Sequence, residues 1–172
     1  MKTYTLSGTI DVLNPNPDDI HLADIAKAIG YTPRWGGATP CFYSVADHCM
    51  RVADRVGNPH RLAALLHDAH EAYMGDVRAP LRAALCFITQ HGKDGFERRS
   101  FESVEAVLQG VILAKFGLPI VLPEEVHAAD ILERQWERDH VFSGRVAGHR
   151  RAGVRWLDAV KREIAALSQV AA

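Results

Sequence analysis

The feature that most constrains this chain is a polar doublet set into an apolar, helix-favouring run. Leu62-Ala63-Ala64-Leu65-Leu66 leads without a break into His67-Asp68, and Glu71 follows about one turn later. Burying two polar groups side by side is costly unless both find partners. On a helix His67 and Glu71 are four apart and Asp68 and Glu71 three apart, so all three share one side. Imidazole nitrogens and carboxylate oxygens are ligands for a divalent metal, and a nearby Glu can hold a water beside it. The rest of the chain must supply the missing ligands.

Caps and breakers set the frame around that run. Residues 4–6 and 10–12 flank Ser7-Gly8 and read as a small β-hairpin. Asn14-Pro15-Asn16-Pro17 is a turn, and a helix then runs to about Ile29. Residues 30–43 form a loop rich in Gly, Pro and aromatics. Ser44, with Asp47 three positions on, makes a near capping box for a helix over 45–56. The next helix, over 59–74, opens at Pro59, carries the doublet and stops at Gly75. A brief helix over 81–86, a polar loop over 91–95 and a long helix over 96–116 follow. Pro123-Glu124-Glu125 opens a helix that passes Asp130 and ends near residue 142. A last helix over 148–167 places Val154, Leu157, Val160, Ile164 and Leu167 on one face. The expected fold class is mainly α: a bundle of about six or seven helices with a small N-terminal β-hairpin, as a single domain over 1–172.

Several function classes are disfavoured. The formal net charge of −1 provides no chain-wide basic field, so no stable nucleic-acid complex is expected. The cluster Arg145, His149, Arg150, Arg151 and Arg155 reads as a solvated helix face. Cys41, Cys49 and Cys86 have no CxxC spacing and fit free thiols in a reducing cytoplasm. No apolar run approaches the roughly 20 residues that span a bilayer, and neither a signal peptide nor a membrane partner is expected. His67-Asp68-Ala69-His70-Glu71 is neither HExxH nor HxxEH, and no P-loop is present.

Two further ligand candidates flank the doublet. His48 lies on the inner face of the 45–56 helix, and Asp130 interrupts an apolar helix face in Val126-His127-Ala128-Ala129-Asp130-Ile131-Leu132. Antiparallel neighbours can bring His48, His67, Asp68 and Asp130 to one point. Four such ligands leave positions for water or phosphate on an octahedral ion. A lone His or Asp on a helix is ordinary; the order His, then His-Asp, then Asp on successive helices carries the weight.

That order resembles the HD-domain metal-dependent phosphohydrolases over about residues 4–142. Arg34-Trp35, Ser44-Val45-Ala46-Asp47-His48, Leu65 to Glu71, Gly75-Asp76 and Pro80 are similar to the bacterial 5′-deoxynucleotidases. The compact length, Leu6-Ser7-Gly8, Leu13-Asn14-Pro15 and the Arg-Trp-Gly-Gly loop look still more like phage relatives that include dATP triphosphohydrolases of the 2-aminoadenine pathway. Those families usually carry Glu where Asp47 stands and Ala or Ser where His70 stands, which sets His70 apart from the shared chemistry.

The resemblance implies a role for each position. His48, His67, Asp68 and Asp130 would hold a divalent transition metal such as Co, Mn or Zn, with a second, Mg-like ion on the phosphates. Glu71 would orient or deprotonate the attacking water, and Asp76 would protonate the leaving oxygen. Arg34 would bind phosphate, Trp35 would face the sugar or base, Pro80 would wall the base pocket, and Arg82 or Arg78 would meet outer phosphates. The implied substrate is a deoxynucleotide, dATP favoured, cleaved by a dNTP triphosphohydrolase that also accepts dADP or dAMP. The alternatives are a 5′-deoxynucleotidase on dNMPs and a non-catalytic nucleotide-binding HD module. The presence of all six metal-binding and catalytic positions favours an enzyme. A cytoplasmic homo-oligomer is expected, in the host cytoplasm if phage-encoded.

Overall fold

Most helix boundaries fall where caps and glycines put them. A computed structural model describes residues 1–91 and 95–170. Strands β1 (Lys2–Tyr4) and β2 (Thr9–Asp11) pair antiparallel, with Thr3 opposite Ile10. This hairpin lies one or two residues earlier than its sequence pattern suggests, because the turn is closed by Thr5 N–H on Gly8 O at 2.8 Å. A 3₁₀ turn over Pro17–Asp19 leads to α1 (Leu22–Tyr31). Helix α2 (Val45–Val56) begins with the full capping box: Asp47 N–H donates to the Ser44 hydroxyl, and Asp47 Oδ2 accepts from Ser44 N–H, both at 3.1 Å. The other oxygen of Asp47 accepts from His149 N–H at 2.9 Å, which ties the start of α2 to the chain that enters the last helix.

The doublet-bearing helix comes in two pieces, α3 (Arg61–Leu66) and α4 (Glu71–Met74), joined by a turn over 67–70. Then come α5 (Ala79–Ala84), β3 (Cys86–His91), β4 (Gly95–Ser100), α6 (Phe101–Lys115), α7 (Glu124–His140) and α8 (Ala152–Val170). With α3 and α4 counted as one interrupted helix, seven helices and two small antiparallel hairpins make up the described residues. The fold is mainly α, as expected. None of these helices is long and apolar enough to cross a membrane.

Two sequence expectations need correction. The helix expected over 96–116 starts at Phe101, and residues 95–100 instead pair with 86–91 as a hairpin. Phe87, Ile88 and Thr89 are β-formers, and Phe87 stacks on Phe101 with ring centroids 5.9 Å apart. Ser100 then caps α6 by accepting from Ser103 N–H. Of the polar loop expected over 91–95, residues 92–94 lie outside the described residues. The second correction concerns α8, where Val154 and Leu167 are exposed. The expected Val160 is buried and Leu157 and Ile164 pack against the core, while Ala152, Trp156 and Ala159 complete the buried stripe. The large Trp156 sets this orientation, since its indole N–H donates to Leu65 O at 2.6 Å from the centre of the core.

Helix α2 lies at the middle of the bundle, against α1, α3, α7 and α8. Val45, Cys49 and Val52 of α2 meet Leu62, Leu65 and Leu66 of α3 in a fully buried cluster. The α2–α7 contact is polar as well: buried Glu133 pairs with Arg51 and with Arg55, the latter at 2.6 Å. Helices α1 and α8 cross where Gly30 meets Gly153. A Cβ on Gly30 would sit 2.8 Å from Gly153 Cα, and one on Gly153 would run into the Ala26 carbonyl oxygen. Gly153→Ala should therefore destabilise the protein by about 1–3 kcal/mol, because the α1 backbone at Ala26 and Gly30 obstructs the methyl. The gain of about 1 kcal/mol in helix propensity does not offset this. A lower midpoint in urea unfolding checks the prediction.

Candidate metal centre and cleft

The motif segment departs from α-helical bonding at the doublet. Ala69 N–H bonds Leu66 O, Glu71 N–H bonds Asp68 O, and Ala72 N–H bonds Ala69 O, at 3.0–3.2 Å. These i to i−3 bonds tighten the turn toward 3₁₀ geometry, in which residues three apart eclipse. Asp68 and Glu71 are thereby stacked on the same side. Gly75, at φ 79° and ψ 163°, then ends α4 in a conformation essentially reserved for glycine and turns the chain so that Asp76 faces the same cleft.

The four expected ligands converge. His48 Nε2 lies 3.2 Å from His67 Nε2, 3.2 Å from Asp130 Oδ1 and 3.6 Å from Asp68 Oδ2. His67 Nε2 lies 3.2 Å from Asp68 Oδ2. The second nitrogen of each ring is already engaged: His48 Nδ1 with Glu137 Oε1 and His67 Nδ1 with Ala64 O, both at 2.8 Å. A carboxylate and a carbonyl can only accept, so both Nδ1 atoms carry hydrogen. In the neutral rings, both Nε2 lone pairs then face each other and two carboxylate oxygens. Such a donor set calls for positive charge at its centre. Ligands about 2.1 Å from one ion are about 3.0–3.4 Å apart, so the observed spacing fits a divalent metal. Burial opposes a charged His67, yet Asp68 and Cys49 together raise its pKa well above the usual value, so a metal bound there would displace a proton from the ring. Burial likewise works to raise Asp68, and His67 with its hydrogen bond holds it well below the carboxylate range. His48, His67 and Asp130 form a group that could hold a metal ion, and Asp68 belongs to two further such groups, one with Cys49 and His67 and one with His70 and Glu71.

The remaining expected residues surround this centre. Glu71 is buried, its Oε2 has no hydrogen-bond partner, and burial followed by Asp68 and Asp76 pushes its pKa well up. Asp76 Oδ2 accepts Trp35 N–H at 2.8 Å. Arg34 is buried, with Nη2 3.4 Å from Glu137 and Nη1 3.7 and 3.8 Å from Asp68 and Asp76. Burial disfavours its charge, yet these carboxylates and Glu71 raise its pKa further. Trp35 holds a left-handed backbone at φ 60°, rare for a bulky residue. Its indole N–H donates to Glu137 Oε2 at 2.8 Å, and its ring meets Phe142 edge-on at 5.4 Å.

Arg34, Trp35, Asp68, Glu71, Asp76, Pro80, Arg82 and Asp130 all line one cleft of about 590 Å³. His48 and His67 are buried beside it. The cleft also takes in Arg78, His127, Arg134 and Arg138. Of these, His127, Arg134 and Arg138 escaped the sequence reading, although their spacing around Asp130 marks a single face of α7. Glu137 escaped it too; its only signal is an acid at an inner-face position, in register with Val126, Ala129 and Glu133. His70 points elsewhere, to Gln109 and Glu105 at 2.9 Å each. Cys49 adjoins His67, but burial pushes its thiol pKa up, which disfavours the thiolate that metals bind.

A protein of Rhodobacter capsulatus, Uncharacterized protein RCAP_rcc00048, is 35% identical over 150 residues, which cover 79% of this chain and 70% of that protein. The chain belongs to the same family. Uncharacterized protein YfdR of Escherichia coli is 34% identical over 123 residues, 72% of this chain and 62% of that protein. The matched part is thus less than two thirds of YfdR's length. No family model matches the chain.

A ligand set of this kind makes a direct prediction. Saturating Mn²⁺ or Co²⁺, at about 100 times its Kd, should add about 2.7 kcal/mol and raise Tm by roughly 5–10 °C. Asp68→Ala should abolish that rise while remaining folded, as read by differential scanning fluorimetry with circular dichroism.

Proposed function

We propose that this protein is an HD-domain, metal-dependent phosphohydrolase that cleaves a phosphoester of a deoxynucleotide, with dATP or another dNTP as leading substrate. The observation that carries the reading is the cluster of His48, His67 and Asp130, with Asp68 Oδ2 3.2 Å from His67 and 3.6 Å from His48, beside a cleft lined by arginines. A divalent ion held there supplies Lewis-acid activation of water and of a phosphoryl oxygen. The chain's own residues account for the rest. Glu71, buried with an unpartnered oxygen and a raised pKa, suits a group that orients a water and takes its proton. Asp76, just past Gly75 and lining the same cleft, would protonate the leaving oxygen, as the resemblance implies. Arg34, fixed by three carboxylates, presents a rigid positive charge, while Arg78, Arg82, Arg134 and Arg138 supply further donors for phosphate oxygens. The preference for deoxyadenosine rests on the resemblance.

One observation favours the 5′-deoxynucleotidase reading instead. Arg82 pairs with Glu105 at 3.4 Å and Arg134 with Asp130 at 3.0 Å, so part of the positive charge is already engaged. Incubating Mn²⁺- or Co²⁺-loaded protein with dNTPs, dNMPs and ribonucleotides separates the two by product. Triphosphate plus nucleoside identifies a triphosphohydrolase, and phosphate from dNMP identifies a nucleotidase. No product from any member of the panel would overturn both. In the active assay Glu71→Ala should leave metal uptake intact and lower kcat by about 10²–10⁴-fold.

A further inference from the structure

Glu137 is a fully buried carboxylate facing three donors. Its Oε1 meets His48 Nδ1 at 2.8 Å, while its Oε2 accepts the Trp35 indole N–H at 2.8 Å and Arg34 Nη2 at 3.4 Å. It stands two turns beyond Asp130 on α7, so one helix grips both ring nitrogens of His48: Asp130 at Nε2 and Glu137 at Nδ1. The ring of contacts then closes. Trp35 N–H reaches Asp76 Oδ2, and Arg34 lies between Asp76 and Asp68, which returns to both histidines. The left-handed Trp35 is thus fastened at both ends, its backbone to Asp76 and its indole to Glu137.

We infer that Glu137 is a positioning residue that couples His48 to the segment Arg34–Gly37, so that one buried carboxylate sets both the ligand's orientation and the posture of Trp35 in the cleft. The metal half of this inference rests on the proposed function; the coupling between His48 and Trp35 does not. A carboxylate is required because it only accepts. Gln at 137 would turn an NH₂ group toward one of the donors and would either free the indole or reverse the His48 tautomer. A glutamate that merely neutralised Arg34 would explain stability but would not link Trp35 to His48.

The test compares wild type, Glu137→Gln and Trp35→Phe by ¹H–¹⁵N NMR of the metal-free proteins and by Mn²⁺ titration. Trp35→Phe identifies the Trp35 indole resonance by its loss, and it removes only a donor to Glu137, leaving every metal ligand in place. In metal-free Glu137→Gln the Trp35 indole N–H resonance should move and its hydrogen exchange should speed up. Mn²⁺ affinity should fall by about 10–100-fold, the range for lost outer partners of a metal-bound histidine. Trp35→Phe should shift the His48 Nδ1–H resonance and weaken Mn²⁺ in the same direction. An unmoved indole resonance in a folded Glu137→Gln, or an unmoved His48 resonance in Trp35→Phe, overturns the coupling. Should Glu137→Gln lose its folded spectrum, the Trp35→Phe arm decides alone. A wild type that takes up no Mn²⁺ would defeat the metal reading, and the metal-free spectra would still decide for or against the coupling.

Discussion

Two buried glutamates on one helix govern how the bundle can be put together. Glu133 and Glu137 both face inward from α7 and are fully excluded from water. A carboxylate in that position costs several kcal/mol unless charge and hydrogen bonds answer it. Glu133 is answered by Arg51 and Arg55 of α2, and Glu137 by His48 of the same helix together with Trp35 and Arg34. Aliphatic packing alone tolerates sliding and rotation between helices. Paired charges at two successive turns do not. With α7 held in that register, Asp130 arrives at His48 Nε2, and the candidate metal cluster follows from the way the bundle is fastened.

The cleft depends on a second local departure, at the doublet. Three-residue bonding across 67–70 stacks Asp68 and Glu71, and Gly75 turns the chain so that Asp76 and then α5 come round to face α7. Asp68, Glu71, Asp76 and Asp130 line the cleft together with Arg34, Arg78, Arg82, Arg134 and Arg138. His70 closes the opposite side of the turn against α6 through Gln109, whose amide reaches back to Leu66 O at 2.8 Å. His70, engaged by Gln109 and Glu105, thus holds the back of the turn that carries Asp68 and Glu71.

The sequence was most legible where a residue's chemistry contradicts its surroundings. His48, His67, Asp68 and Asp130 stand out because polar groups on apolar faces need a reason, and the structure brings all four together. Ser44 and Asp47 were readable as a cap for a similar reason, since only local spacing matters. The β3–β4 hairpin was not legible, because short apolar stretches serve strand and helix alike until tertiary packing decides, here through Phe87 on Phe101. The face of α8 is legible in part: Leu157, Val160 and Ile164 do face the core, but a count of aliphatics leaves out the buried Trp156 and takes in Val154 and Leu167, which are exposed. Glu137 was hidden for a deeper reason. Its partners are 89 and 102 positions away in the chain, and nothing local signals a carboxylate that serves distant donors.

The cap at the start of α2 ties together two sites far apart in sequence. Asp47 precedes the candidate ligand His48 and uses its two oxygens on Ser44 and on the backbone of His149. Gly148 lies so close that a Cβ there would be 2.5 Å from Asp47 Oδ2 and 2.8 Å from Phe42 O. A side chain one methylene longer at 47 would claim the same space. Positions 47 and 148 are therefore a joint choice: within this family, drift from Asp to Glu at the first should be accompanied by a displaced path for the chain at the second. A short acid beside the ligand and a bare glycine a hundred residues later are two halves of one steric bargain.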